Sequence, residues 1–362
     1  MKNSTSHIPL LKRPVFALHR QYKLAETKKH QLQYIMWECT LRCNFSCLHC
    51  GSDCKKDASK PDMPVADFIK SIDDIMPLVQ PENTTVVITG GEPLMRTDLE
   101  SVGNELKRRR FPWGMVTNGY LLTPEKLNSL IDAGLHAITI SLDGFEKSHD
   151  WLRGVNGSFL KAIQAIAQVA AKGLVFDVVT CVNQQNFNEL EHLRMLLIDL
   201  GVKNWRIFTI FPVGRAAQNN ALSLSDQQFK ALFGKIKVWR TAGDIQVNYG
   251  CEGFLGKFEG EVRDNFFFCR AGINIASILV DGSLTGCNNI NHQYIQGNIY
   301  SQSFPDIWEN NFGVMRDRSW MKTGKCKQCR HFDLCLGNGF HLRNENGDLL
   351  LCHLEKLENT DK

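Results

Sequence analysis

From about residue 32 onward, short apolar runs alternate with segments whose apolar residues recur at helical spacing. Leu32 to Trp37 reads as a buried strand. Thr84 to Thr89, Trp113 to Thr117, Ala137 to Leu142, Val175 to Val182 and Trp205 to Phe211 repeat that signal with β-branched and aromatic residues. Between them, Val65, Phe68, Ile69, Ile72 and Met76 share one helix face, as do Phe159, Ile163, Ile166 and Val169, and then Leu190, Leu193, Leu197 and Leu200. Thr123 is placed to cap a helix that carries Pro124 in its first turn and stops at Gly134. Ser158 is placed to cap another, closed by Gly173. Six strands, each of the first five followed by a helix, predict an α/β fold: a parallel sheet curved into an open, partial (β/α)6 barrel. In α/β barrels the reactive groups sit on the loops after the strands' C-terminal ends.

The rest of the chain breaks this rhythm. Residues 1–31 are polar, basic and weakly patterned, and are expected to form a surface lead-in to a barrel core over 32–215. Pro212-Val213-Gly214-Arg215-Ala216, followed by Gln218-Asn219-Asn220, is a composition break. A helical linker, 216–245, with its helix at Asp226 to Arg240, then leads to a short-stranded, turn-rich and cysteine-dense region over 246–362. No internal sequence repeat is evident beyond the strand-helix alternation.

Composition narrows the class. The 362 residues suffice for two compact domains, and 22% charged with 43% hydrophobic residues is ordinary for a globular protein. A net charge of +4 gives no case for nucleic acid, and the basic run Lys107-Arg108-Arg109-Arg110 reads as a solvated helix end. Met1 to Arg13 lacks the apolar core of a secretion signal, and no window is long enough for membrane insertion. Thirteen cysteines, clustered rather than scattered, then suggest a reducing cytoplasm in which they bind metal.

The candidate chemistry lies directly after the first strand, in Cys43-Asn44-Phe45-Ser46-Cys47-Leu48-His49-Cys50. A zinc site completed by Cys39 or Cys54, a redox dithiol and an iron-sulfur cubane are all compatible with these thiols. Three thiolates would leave one iron of a cubane open to a small ligand. After the second strand, Gly90-Gly91-Glu92-Pro93 offers a backbone that lacks a Cβ at two successive positions and so permits close approach to a ligand.

This CxxxCxxC loop followed by GGEP, in that order and on those elements, resembles the radical S-adenosylmethionine (SAM) enzymes over roughly residues 32 to 212. The resemblance implies that Cys43, Cys47 and Cys50 hold a [4Fe-4S] cluster whose open iron is chelated by the amino and carboxylate groups of SAM. It implies that Gly90, Gly91, Glu92 and Pro93 face the methionyl end, with Glu92 as an acceptor near its ammonium. Asn118, Ser141, Asp143 and Arg153 would be later SAM-facing groups. His49 takes a slot usually held by a ring and is read as packing beside the cluster, not as a ligand.

The C-terminal third resembles a SPASM domain, an auxiliary-cluster module. That likeness makes Cys326, Cys329, Cys335 and Cys352 the ligands of a distal cluster, where spacing alone would also suit zinc. Cys251, Cys269 and Cys287 are then the candidates for a nearer one. Gly339 stands where a further cysteine is usual, so the nearer cluster is absent, has an open iron, or is completed by another group such as His341. Asn288 replaces an acidic residue of sulfatase-maturing relatives, and an amide cannot take a proton. Cys39, Cys54 and Cys181 match no ligand position and are read as structural thiols.

The resemblance implies an enzyme with two or three [4Fe-4S] clusters that reductively cleaves SAM, fed by a low-potential donor such as flavodoxin or ferredoxin. The resulting 5′-deoxyadenosyl radical would take hydrogen from a ribosomally made peptide or small protein. A tetrapyrrole or cofactor precursor is the alternative substrate, and a non-catalytic metal scaffold the alternative role. No catalytic acid or base identifies itself.

Overall fold

The computed structural model describes residues 8–58, 60–290 and 292–360. Among these residues one sheet of ten strands runs in the order β10-β9-β8-β1-β2-β3-β4-β5-β6-β7. Its centre is the expected set of six: β1 (Tyr34–Thr40), β2 (Thr85–Gly90), β3 (Trp113–Thr117), β4 (Leu135–Ser141), β5 (Val175–Val182) and β6 (Asn204–Thr209). They are parallel neighbours in chain order, and the sheet does not close on itself. The helices before the C-terminal region are α1 (Arg13–Lys29), α2 (Val65–Ile75), α3 (Leu99–Arg108), α4 (Pro124–Asp132), α5 (Glu146–Arg153), α6 (Ser158–Ala171), α7 (Leu190–Asp199) and α8 (Asp226–Ala242).

The apolar spacing explains the packing. Helix α2 buries Phe68, Ile72 and Ile75, and Phe68 stacks on Trp37 of β1 with ring centroids 4.0 Å apart. Thr123 caps α4 through an N–H bond from Lys126, with Pro124 in the first turn. Ser225 builds a capping box with Gln228 at the start of α8.

Three features depart from the expected pattern. The lead-in carries α1, whose contact with the core rests on Phe16, stacked on Phe266 at 4.4 Å; one buried residue leaves almost no periodicity to detect. Helix α5 precedes α6, and Asp150 on it accepts N–H bonds from Gly157 and Phe159 at 2.6 and 2.8 Å. Ser158 is therefore not the cap: it lies inside α6 and donates its hydroxyl to that same carboxylate at 2.7 Å.

Finally, the C-terminal region continues the sheet at both edges. β7 (Gln246–Tyr249) runs parallel to β6, and β8 (Ile275–Ile278) runs parallel to β1. β9 (Ser283–Thr285) and β10 (Gly297–Asn298) follow antiparallel. One apolar core accordingly holds Trp37 and Ile88 together with Ile278, Phe304 and Phe340. No helix among the described residues is long and apolar enough to cross a membrane.

Candidate active site

The loop after β1 brings Cys43, Cys47 and Cys50 into one pocket with Phe45 and Cys54. The three sulfurs sense one another's charge. Burial pushes the Cys43 thiol up to about 12 and raises Cys47, whereas Cys50 is pulled down to about 5, first by a hydrogen bond with Cys54. Among the described residues no three His, Cys, Asp or Glu side chains gather closely enough for a single metal ion. A cubane has its irons at separate corners and asks for thiolates spaced more widely than one ion does. A buried, mutually coupled, all-thiol set is of the right chemistry for it.

Neighbouring strand-end loops latch this loop in place. Gly91 N–H donates to the Thr40 carbonyl at 2.7 Å and Glu92 N–H to that of Arg42 at 2.9 Å. Asn118 Nδ2 reaches Asn44 Oδ1 at 2.9 Å. Arg215, after β6, donates Nε to the Cys47 carbonyl at 2.7 Å and Nη1 to Asp53 and to the Cys54 carbonyl at 2.9 and 3.0 Å. The segment Pro212 to Ala216, read from sequence as a composition break, is thus the clamp on the thiol loop.

The glycines at the end of β2 have a task the sequence did not suggest. A Cβ on Gly90 would lie against the Thr40 carbonyl and one on Gly91 against that of Arg42, and Gly90 has φ +133°. Bare backbone is needed here to bring β2 against the thiol loop. Pro93 is buried and opens a short 3-10 turn. Glu92, 1% exposed, accepts from Leu94 N at 3.1 Å, Thr117 Oγ1 at 2.7 Å and Asn118 N at 2.8 Å. Its carboxylate therefore joins the ends of β2 and β3. Burial raises its pKa, while these three donors pull the other way.

Ser141 closes β4, half-buried and paired with Val179. Two residues on, Asp143 is fully buried, takes Arg153 Nε at 2.6 Å and accepts Cys181 N–H at 2.7 Å. Burial opposes its charge, yet the Arg153 guanidinium and the Cys181 N–H hold its pKa below the usual range. Arg153 also points Nη1 at the Cys47 sulfur, 3.9 Å away, where a cation offsets thiolate charge. Burial keeps His49 and His149 neutral, both near 4, and each has a buried ring nitrogen without a partner.

The C-terminal thiols fall into two sets. Cys335 senses Cys352, Cys326 and Cys329, and Cys287 senses Cys251 and Cys269. Arg318, 5% exposed, lies between the sets: it donates to the Cys269 carbonyl at 2.5 Å and senses both Cys269 and Cys335. Arg343 places Nη2 3.8 Å from the Cys326 sulfur.

The family model of the radical SAM superfamily matches residues 37–197, and that of an iron-sulfur cluster-binding domain, SPASM, matches 269–330. The chain thus carries a radical SAM domain and a SPASM domain. The AdoMet-dependent heme synthase of Nitratidesulfovibrio vulgaris is 27% identical over 331 residues, covering 87% of this chain and 89% of that protein. The mycofactocin maturase of Mycolicibacterium smegmatis is 28% identical over 84% of this chain and 76% of its own length. In fold, the chain is similar to anSMEcpe with bound AdoMet and a Cp18Cys peptide (TM-score 0.70, 19% identity, 91% of this chain and 95% of that one). It is also similar to Streptococcus suis SuiB bound to S-adenosylmethionine (TM-score 0.67, 17% identity, 90% and 78%). This radical SAM/SPASM protein is an enzyme whose cofactors are [4Fe-4S] clusters and SAM.

Beside the thiol loop the radical SAM enzyme has a cavity of about 900 Å³. One wall is Gly51, Ser52, Asp53 and Lys55, just after Cys50, with Glu38 of β1 and Leu41 just beyond it; another part of the lining includes Asn288, just after Cys287, and His341. None of Gly90, Gly91, Glu92, Asn118, Asp143 or Arg153 lines it. Glu38 is 7% exposed, and desolvation raises it to about 7 although Val280 N–H donates to it. Sequence reasoning passed over Glu38, whose signal was a lone charge in an otherwise buried strand. It also missed Arg215, Arg318 and Arg343, which carried no motif.

Proposed function

We propose that this radical SAM/SPASM enzyme modifies a small molecule of tetrapyrrole size held in the cavity between its two cysteine-rich regions. The carrying observation is the cavity's volume and walls. About 900 Å³ is near the upper end of small-molecule sites, roughly 300–1,000 Å³, and exceeds what one peptide side chain needs. Its position beside both thiol regions suits a substrate that is attacked at one end and exchanges an electron at the other. Further support is that synthases of heme and of Fe-coproporphyrin III match this chain over most of their own length. The peptide substrate first inferred from the motifs keeps the support of the maturase relative.

Cys43, Cys47 and Cys50 would hold the SAM-binding cubane, and Cys326, Cys329, Cys335 and Cys352 a distal one. Together with SAM, the first centre supplies one-electron cleavage of a sulfonium and hydrogen removal from an unactivated carbon. The protein's own work is placement. Arg153 offsets charge at Cys47, Asp143 fixes Arg153, and Glu92 and Asn118 align the loops that would carry the methionyl and ribosyl ends. Gly90, Gly91, Pro93 and Ser141 complete that surface. An external low-potential donor in a reducing cytoplasm would supply electrons.

The test is anaerobic incubation of the reconstituted enzyme with SAM, a reductant and iron-coproporphyrin III, followed by mass spectrometry. A mass change in the macrocycle that tracks 5′-deoxyadenosine release supports the proposal. An unchanged macrocycle alongside a modified peptide encoded next to the gene would sink it.

A further inference from the structure

The nearer C-terminal thiol set has three sulfurs and a glycine where the SPASM likeness expects a fourth ligand. A Cβ built on Gly339 would lie 2.5 Å from His341 Cε1 and 2.8 Å from Nδ1. The imidazole therefore fills the volume that a side chain at 339 would enter. The same Cβ would be 3.3 Å from the carbonyl of Glu252, the residue after Cys251, and His341 shares a cavity wall with Asn288, the residue after Cys287. The ring rests on Phe211, centroids 4.8 Å apart, and its Nε2 is buried with no hydrogen-bond partner. A buried ring nitrogen left unpaired is costly unless a ligand takes it.

We propose that His341, through Nε2, is the fourth protein ligand of an iron-sulfur cluster held by Cys251, Cys269 and Cys287. This rests on the SPASM region building a nearer cluster at all. Such a centre has no open iron, so it would conduct electrons rather than tether substrate. Exchanging one thiolate for a neutral imidazole also removes a negative charge, which raises the reduction potential.

The test uses the full-length enzyme, reconstituted anaerobically, reduced, and labelled with ¹⁵N only at histidine. Pulsed EPR should show a nitrogen coupling to a cluster that changes with the isotope and vanishes in His341→Ala. That variant should lose about four of about twelve irons while the Cys326 set keeps its own. The double variant Gly339→Cys/His341→Ala should recover the iron, show no nitrogen coupling, and have a lower midpoint potential. Full iron without histidine coupling in the wild-type enzyme overturns the proposal, as does an unchanged spectrum and potential in His341→Ala. A coupling that appears only after iron-coproporphyrin is added would make His341 a substrate ligand instead. A wild-type content of about eight irons would remove the nearer cluster, yet leave the radical SAM assignment standing.

Discussion

The two cysteine-rich regions are held by different means. The first three thiols lie close together between Cys43 and Cys50, on a loop launched by a buried parallel strand and fastened by backbone bonds from the next strand end. The C-terminal thiols are gathered from Cys251 to Cys352 across turns and short helices with few ladder bonds, and buried guanidinium groups take over the missing role. Arg343 donates to the carbonyls of Gly337 and Gly347, and Arg263 to those of Gly250 and Gly253. A site built on sheet geometry tolerates loss of a side-chain clamp better than one stitched together by arginines.

The sharpest break comes at the first region. Cys47→Ala should abolish 5′-deoxyadenosine formation and remove about four irons, read by chromatography and iron analysis. Measurable 5′-deoxyadenosine from that variant would refute the ligand assignment. Next, Arg343→Met should cost about 3 kcal/mol by leaving several buried carbonyls unpaired. It should also deplete the distal cluster while sparing SAM cleavage, which anaerobic urea unfolding and EPR can separate. Arg215→Met should cost only about 1 kcal/mol, because the backbone bonds from Gly91 and Glu92 to the thiol loop survive. Equal penalties for the two arginines would erase the contrast.

The smallest effect concerns Glu38 on the cavity wall. Its folded pKa, about 7, lies above its ordinary value, so its favourable contribution is complete below that ordinary value and fades as pH rises through 7. Glu38→Gln should therefore add about 1 kcal/mol of stability at about pH 8 and much less at about pH 5.5. Thermal unfolding of both proteins across that range checks the sign; a gain that grows toward acid pH would be the wrong one.

How legible each region was follows from the same contrast. Strand and helix periodicity marked all six central strands, and the thiol and GGEP motifs marked the loops that meet at their ends, because local spacing encodes both. Arg215 and Arg318 act across long sequence separations through carbonyls, which leave no pattern in composition. β7 and β8 are four residues each, too short for alternation to stand out, and their pairing with β6 and β1 is a tertiary choice. The glycines at the end of β2 were noticed, but the Thr40 and Arg42 carbonyls that require them belong to a different segment.

β8 hydrogen-bonds along the strand from which the Cys43 loop departs, while β7 extends the opposite edge. The C-terminal third is therefore not detachable cargo. Cutting within 216–245 would leave two fragments with raw sheet edges, and a cysteine-rich region transplanted from another protein would have to bring matching border strands before it could bring any metal.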